Sequence, residues 1–475
     1  MGASTRSPGR AAERFFDARR LGRAVESWLA THPDARGTLR VHTPAPAMPV
    51  EEWLRLAPRG TALLWAPERS EKIAGIGAAI SLELDSRERG LASLDRAAVR
   101  ALGESFELAL DRTDPPPVRF YGGLAFAPGV ADEHPWTGFG DGRFILPRWL
   151  YRRSTERATL TLSLCLPGDR AKLAELVADY GRLGARWCAL APCPPAPAAD
   201  HAESDARARS RWTRDVEQAL ADIAARRLEK VVLARRHGVT FDGPFEPAGL
   251  LSRLAAASAE TTLFALRIDG ATFLGATPER LVSRHAARVT SMALAGSAPR
   301  RDARGAVRES GAVRLLASEK DCREHALVVE AIRVALADVT RELSIAPRPN
   351  VLELEQVLHL STPIEGVLAE PLTALELVER LHPTPAVGGH PRAAALEWLA
   401  RHENCARGWY AAPFGWFAPD GNGEFVVALR SGLFSRERGW LYAGAGLVSG
   451  SLIEEEYDET LVKLQPLLTA LGIHA

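Results

Sequence analysis

The sequence has no excess charge of either sign: Lys and Arg total 59, and so do Asp and Glu. Without a net charge there is no global field to draw nucleic acid or an anionic membrane to the chain, so any anion must be held locally. It has no CxxC pair. Its five cysteines, Cys165, Cys188, Cys193, Cys322 and Cys405, are odd in number and widely spaced, which argues against a disulfide framework or structural zinc site and fits a reducing compartment. Charges, Gly or Pro break every apolar run before the roughly 18 residues of a membrane span are reached. The start, MGASTRSPGRAAERFFDARR, lacks an apolar stretch long enough for a signal peptide, and Arg6 stands where a myristoylation motif needs Ser or Thr. These absences predict a soluble, cytoplasmic protein with no nucleic-acid or membrane partner.

What is present is an ordinary globular composition: 475 residues, 46% hydrophobic and 25% charged, which rules out disorder, collagen and coiled coil. Proline interrupts the chain at 115–117 and again in APCPPAPAAD (191–200), followed by the polar HAESDARARS. The second interruption is the expected boundary between an N-terminal α/β region, 1–195, that packs on the core, and a C-terminal region, 205–475. The N-terminal region shows a strand at 62–65, a small-residue segment at 75–80 and a helix over 171–187, but no constellation of acids, histidines or metal ligands. Its YGGLAFAPG (121–129) reads as turn and packing. Beyond the boundary, short β-branched strands such as KVVLARR (230–236), TLFALRI (262–268) and EFVVALRS (424–431) alternate with helices and Gly-rich turns. The expected class is α/β (α+β).

The residues able to carry chemistry lie in the C-terminal region. Lys230 opens its strand on the face of Val232 and Ala234, where apolar neighbours disfavour the charged form and make a lysine usable as a general base. A solvated strand-end lysine is the plain alternative. GATPER (275–280) predicts a helix start, with Thr277 as N-cap, Pro278 first and Glu279 in the first turn. That carboxyl either complements the helix dipole or protonates a leaving group. SEKDCREHALVVEAI (318–332) predicts a helix capped by Ser318, with Asp321 and Glu324 on one face. In EEEYDETLVK (454–463), Glu456, Glu459 and Lys463 share a second stripe. Two acidic helix faces either are solvated surfaces or converge on a hard cation such as Mg²⁺, which takes one or two carboxylates plus water and an anionic substrate. AGAG (443–446) and LHPTPAVGGHP (381–391) read as turns that let backbone approach a ligand. Arg430 is expected to end the strand EFVVALR, where its guanidinium clamps a carboxylate or forms a rim salt bridge.

In order and spacing these segments resemble the chorismate-utilising enzymes, which comprise the isochorismate, salicylate, anthranilate and aminodeoxychorismate synthases. The resemblance covers about residues 205–475 and includes KVVLARR, FLGATPERL, ALAGS, SEKDCREH, VLHLSTPIEG, LHPTPAVGGHP, RGWYAAPFGW, GEFVVALRS and AGAGLVSGSLIEEEYDETLVK. It implies two packed β-sheets flanked by helices. It also implies that Lys230 is the base and Glu279 the acid. Glu324 and Glu459 match Mg²⁺ ligands, with Asp321 and Glu456 holding metal-bound waters. Tyr410, Arg430, Gly444, Gly446 and Lys463 match positions around the substrate, and Gly296, Ser297, His359 and Ala386 match pocket residues. Ala295 stands where aminodeoxychorismate synthases carry a lysine. Ala386, where salicylate and anthranilate synthases generally carry threonine, points to the isochorismate synthase branch, as does LLWAPERSEKIAGIGAA (63–79). One departure is Ser297, where threonine is common. The resemblance implies isomerisation of chorismate with Mg²⁺ as sole cofactor; no obligatory protein partner is expected, and a monomer is the default expectation because the residues do not reveal the oligomeric state. The alternatives are a salicylate or anthranilate synthase, or a silent chorismate-binding scaffold.

Overall fold

The structure, a computed structural model, describes residues 15–473 apart from 58, 69, 85–89, 112, 132, 156, 194–196, 202–204, 258–259, 301–306 and 308–309. The N-terminal stretch containing Arg6 and parts of the proline-rich boundary thus lie outside the described residues. All 21 strands of the described residues belong to one hydrogen-bonded ladder, which folds back on itself as two layers.

Pairing partners define the layers. In one, the strands Val357–Leu368, Arg288–Pro299, Arg280–His285, Gly423–Val427, Pro413–Phe417 and Phe120–Leu124 lie side by side in that order, all antiparallel. In the other, the order is Lys230–Phe241, Arg438–Val448, Ser431–Phe434, Ala271–Thr277, Thr262–Ile268, Ala62–Pro67 and Lys72–Glu83. Both layers end on the long strand Gly142–Arg153, which pairs with Phe120–Leu124 and with Lys72–Glu83. Aromatic side chains fill the space between them, with Phe264 and Trp65 of one layer lying 4.7 and 6.4 Å from Phe414 of the other, ring centre to ring centre. TLFALRI is buried along nearly its whole length, as befits an apolar run with neighbours on both faces.

The strand at 62–65 and the helix at 171–187 are found as Ala62–Pro67 and Leu173–Cys188. Residues from before and after the proline-rich segment share both main apolar cores: Leu63 and Phe144 pack with Phe264 and Phe414 in one, Leu21 and Trp53 with Leu250 and Leu464 in the other. Among the described residues, no helix is long and apolar enough to cross a membrane.

Two helices flank the cleft between the layers. Glu319–Ala337 starts where the Ser318 hydroxyl accepts the Asp321 N–H, the expected cap. Its His325 is buried and bonds the Ala295 carbonyl through Nδ1 (3.2 Å) and the Thr362 hydroxyl through Nε2 (2.7 Å), which fixes the rotation of the helix and with it the direction of Glu324. The second helix, Ile453–Leu471, packs on the strand Arg438–Val448.

Candidate active site

The chain passes from one layer to the other at two adjacent corners, and each corner carries a candidate residue. Strand Ala271–Thr277 ends in one layer and Arg280–His285 begins in the other, leaving Pro278 and Glu279 on the turn. Gly423–Val427 ends in one layer and Ser431–Phe434 begins in the other, with Arg430 on the turn. Hydrogen bonds stitch the corners together: Val427 N–H to the Glu279 carbonyl (3.0 Å), Thr277 hydroxyl to the Val427 carbonyl (2.6 Å) and Ala276 N–H to the Arg430 carbonyl (3.2 Å).

This overturns two expectations. GATPER starts no helix: Thr277 ends a strand, its hydroxyl accepts the Glu279 N–H, and the following residues pair on both sides as a strand. A Thr-Pro-Glu segment meets the local needs of a helix start and of this corner equally, and strand pairing decides. Nor does EFVVALR run on as a strand to Arg430. It stops at Val427, and Arg430 adopts the left-handed conformation (φ 48°), which a non-glycine residue adopts at a cost met by its surroundings.

Glu279 is buried, and burial raises its carboxyl to about 8 although Lys230 and Lys463 pull the other way. It is therefore mostly protonated at neutral pH, in the form that donates a proton. Lys230, fully buried, starts the strand Lys230–Phe241 as expected. Its surroundings are not apolar walls alone, however, because its Nζ lies 2.9 Å from Glu324 Oε1. The ammonium is held against this carboxylate beneath the cavity, whose lining includes Glu324 but not Lys230 itself. Gly446 makes the pair possible: a Cβ there would stand 2.5 Å from Glu324 Oε1 and 3.0 Å from Lys230 Cε. AGAG is accordingly no turn. It lies within the strand Arg438–Val448, with Gly444 and Gly446 paired to Ala234 and Val232, where missing side chains leave room above the sheet.

The two acidic helices approach each other, and Glu324, Glu456 and Glu459 each pair with a lysine. Lys463 reaches Glu459 (2.6 Å) and the Gly444 carbonyl (2.8 Å), while Lys320 reaches the buried Glu456 (2.6 Å). Burial disfavours the Lys320 ammonium, but Glu456, with help from Glu459 and Glu324, outweighs this and raises its pKa. Burial and then neighbouring Glu459 raise Glu456. Burial of Glu324 is outweighed by Lys230, with help from Lys463 and Lys320, and its carboxyl is lowered. Hard oxygen donors crowded in this way suit a divalent cation. Among the described residues no three His, Cys, Asp or Glu side chains are grouped closely enough to hold a metal alone. Asp321 stands aside from this group, bonded to Ser318 and lining a neighbouring cavity.

A narrow cavity lies between the layers. It gathers Glu279, Gly296, Ser297, Glu324, His359, Ala386, Tyr410, Arg430, Gly444, Gly446 and Lys463. Gly296 (φ 75°) sits on a β-bulge opposite the strand Val357–Leu368, and the bulge aims Ser297 at His359. Burial, then Arg430 and Lys463, hold His359 well below its ordinary value, so the ring is neutral. Arg430 only donates, and its bond to Nε2 (2.9 Å) makes that nitrogen the acceptor. Nδ1 then carries the hydrogen and donates to the Ser297 hydroxyl (3.0 Å). The arginine is thus held in its unusual backbone conformation with its charge directed along the pocket wall. Tyr410 stacks on Tyr442 (5.3 Å, 19°) to form another wall.

Within RGWYAAPFGW, no local pattern marks Arg407 as special. This buried guanidinium pairs with buried Glu403 (2.7 Å) and donates to the Val387 (2.7 Å) and Val232 (2.6 Å) carbonyls, while Glu403 accepts the Ala234 N–H (2.8 Å). It ties the 381–391 loop, which bears Ala386, to the Lys230 strand. The one available signal was an Arg four residues after a Glu, too common to be informative. Arg407→Ala leaves a buried carboxylate uncompensated. The expected loss is roughly 3–5 kcal/mol, measured by urea unfolding, whereas an unchanged midpoint would show that the pair carries no load.

A family model described as "Chorismate binding enzyme" matches residues 30–472. The chain belongs to this family of chorismate-binding enzymes. Among curated relatives, it is similar to the salicylate biosynthesis isochorismate synthase of Pseudomonas aeruginosa, 41% identical over 357 residues, which is 74% of each chain. It is also similar to the isochorismate synthase MenF of Bacillus subtilis, 36% identical over 352 residues and 74% of each chain. Among solved structures, the menaquinone-specific isochorismate synthase MenF of Escherichia coli superposes with a TM-score of 0.75 at 28% identity, covering 95% of this chain and 100% of that one. The chorismate-binding family thus accounts for the whole two-layered architecture, N-terminal region included.

Proposed function

We propose that the protein is an isochorismate synthase that isomerises chorismate to isochorismate, feeding menaquinone or siderophore biosynthesis. The observation that carries this reading is the pairing of a buried lysine with a buried, proton-bearing carboxyl at one cleft: Lys230 acts on Glu279 electrostatically while Glu279 stays protonated to about pH 8. Such a pair suits a reaction that removes one proton and supplies another.

In this reading the ammonium of Lys230, paired with Glu324, must first give up its proton; its base form then takes a proton from a water molecule, whose oxygen bonds to C2 of the ring. The ring double bond shifts, the bond from C4 to its hydroxyl breaks, and Glu279 protonates the departing oxygen, so that a water leaves as a water enters. No electrons are gained or lost, and the reaction is reversible. Arg430, oriented by neutral His359, and Lys463 bind the substrate's carboxylates. The Tyr410 wall and the small Ala386, Gly444 and Gly446 shape the pocket, and holding the ring between acid and base supplies the positioning share of the catalysis. In this reading Glu324 and Glu459 would hold Mg²⁺ with Glu456 behind them, whereas Asp321, turned to Ser318, lies apart. When bound, the ion supplies positive charge against the substrate's ring carboxylate.

The test is incubation of purified protein with chorismate and Mg²⁺, followed by chromatography. Isochorismate as sole product, lost on adding EDTA and restored by excess Mg²⁺, is expected. Salicylate with pyruvate, or anthranilate on adding ammonium, would reassign the chemistry within the family, and absence of turnover would leave a silent binder.

A further inference from the structure

Beyond the catalytic cleft, on the continuation of the Lys230 strand, lies a second cavity with about 1330 Å³ of empty space, open to solvent. Arg207 and Arg211 of the helix Asp205–Ala224 and Arg235 and Arg236 of the strand Lys230–Phe241 line it. Asp215 is the one acid among its described lining residues. In a chain whose charges balance at 59 each, four arginines against one carboxylate among the described lining residues make this wall locally basic. The walls are ordered. Arg235 donates to the Thr460 hydroxyl (2.5 Å) and lies 4.3 Å over the Tyr457 ring. Arg236 donates to the Tyr442 hydroxyl, which also receives Trp136 Nε1–H (3.0 Å). Asn404 holds Asp215 (3.3 Å). Planar guanidinium forks match carboxylate and phosphate oxygens in pairs, and several forks around one space favour a ligand with more than one anionic group over a simple halide.

We propose that this cavity is a binding site, separate from the catalytic pocket, for a small polyanion bearing two or more carboxylate or phosphoryl groups. It adjoins the active site through Ala234, which lines both cavities, and through Tyr442, whose ring backs Tyr410 while its hydroxyl is held by Arg236.

The experiment is isothermal titration of the full chain with inorganic pyrophosphate and, separately, with citrate. The buffer contains no magnesium or phosphate, since both probes chelate the ion, and neither arm depends on the reaction assigned to the catalytic pocket. Saturable one-site binding of at least one probe is expected, and the two arms distinguish phosphoryl from carboxylate ligands. Arg207→Glu with Arg211→Glu should weaken it at least about tenfold, and saturating chorismate should leave it unchanged. The milder pair Arg207→Gln with Arg211→Gln, checked for an unaltered melting temperature, guards against misfolding and should weaken binding in the same direction. The proposal is overturned by binding of neither probe, by binding that survives both double variants, or by displacement with chorismate, which would place the probe in the catalytic pocket.

Discussion

Glu279→Gln is expected to lower kcat for chorismate isomerisation by about 10²–10⁴ while leaving substrate affinity within a few fold. Glutamine keeps the size and hydrogen-bonding outline of the protonated acid but has no proton to give. The wild-type pH profile provides the independent check. Burial holds this carboxyl at about 8, so kcat/KM should fall as pH rises through that value, about tenfold per unit beyond it. The Gln variant's residual rate should lack this limb. A limb retained in the variant would assign it to another group and remove Glu279 from the acid role. Stability follows the same proton. The folded state keeps it from the ordinary 4.5 up to about 8, where the unfolded chain has lost it, so stability declines as pH rises across that window. In Glu279→Gln this component of the decline should vanish, and the variant should be the more stable protein near pH 8.

Lys230→Met should abolish turnover to a similar extent, by about 10³-fold or more, but with an opposite signature in stability. Methionine retains the apolar stem and removes the charge, leaving Glu324 without its 2.9 Å partner in a site where burial penalises the carboxylate. Breaking such a pair costs roughly 3–5 kcal/mol when the remaining charge is sealed from water, and less here because Lys320 and Lys463 also act on Glu324. In the wild type, Glu324's lowered pKa contributes stability above the ordinary carboxylate range that is lost as pH falls through the folded-state value. The variant lacks that contribution, so its deficit should be largest near neutrality and shrink on acidification. Adding Glu324→Gln to Lys230→Met should recover stability without recovering activity. Wild-type rates in Lys230→Met would end the base assignment, and recovery of rate in the double variant would show Lys230 to be a structural counter-ion.

The three pairs Lys230–Glu324, Lys463–Glu459 and Lys320–Glu456 also show how much of the site was legible beforehand. Helical spacing alone placed Glu324 on one helix face, and Glu456, Glu459 and Lys463 on another, because a 3.6-residue period is a local property of the chain. It could not place the two helices beside each other. Lys320, one residue from Asp321 in SEKDCREH, carries no local sign of its role because its partner Glu456 lies 136 residues away.

The sequence by itself determined the globular class and the strands and helices with clear periodicity. Through nine ordered segments it also determined the family and named many of the residues that line the cleft, although Lys230, Glu456, Glu459 and Asp321 are not among that lining. These are matters of pattern, legible wherever side chains alternate or recur along the chain. The tertiary structure alone decided the corners and the charges. Thr277-Pro278-Glu279 is a crossing between layers instead of a helix start because Arg280–His285 finds strand partners on both sides. AGAG is strand instead of turn because Val232 and Ala234 pair with it. Arg430 takes its left-handed backbone where the same crossing is made a second time. Glu279 holds its proton because the fold buries it. Hydrogen-bond partners and desolvation are set by residues distant in sequence, and no local pattern encodes them.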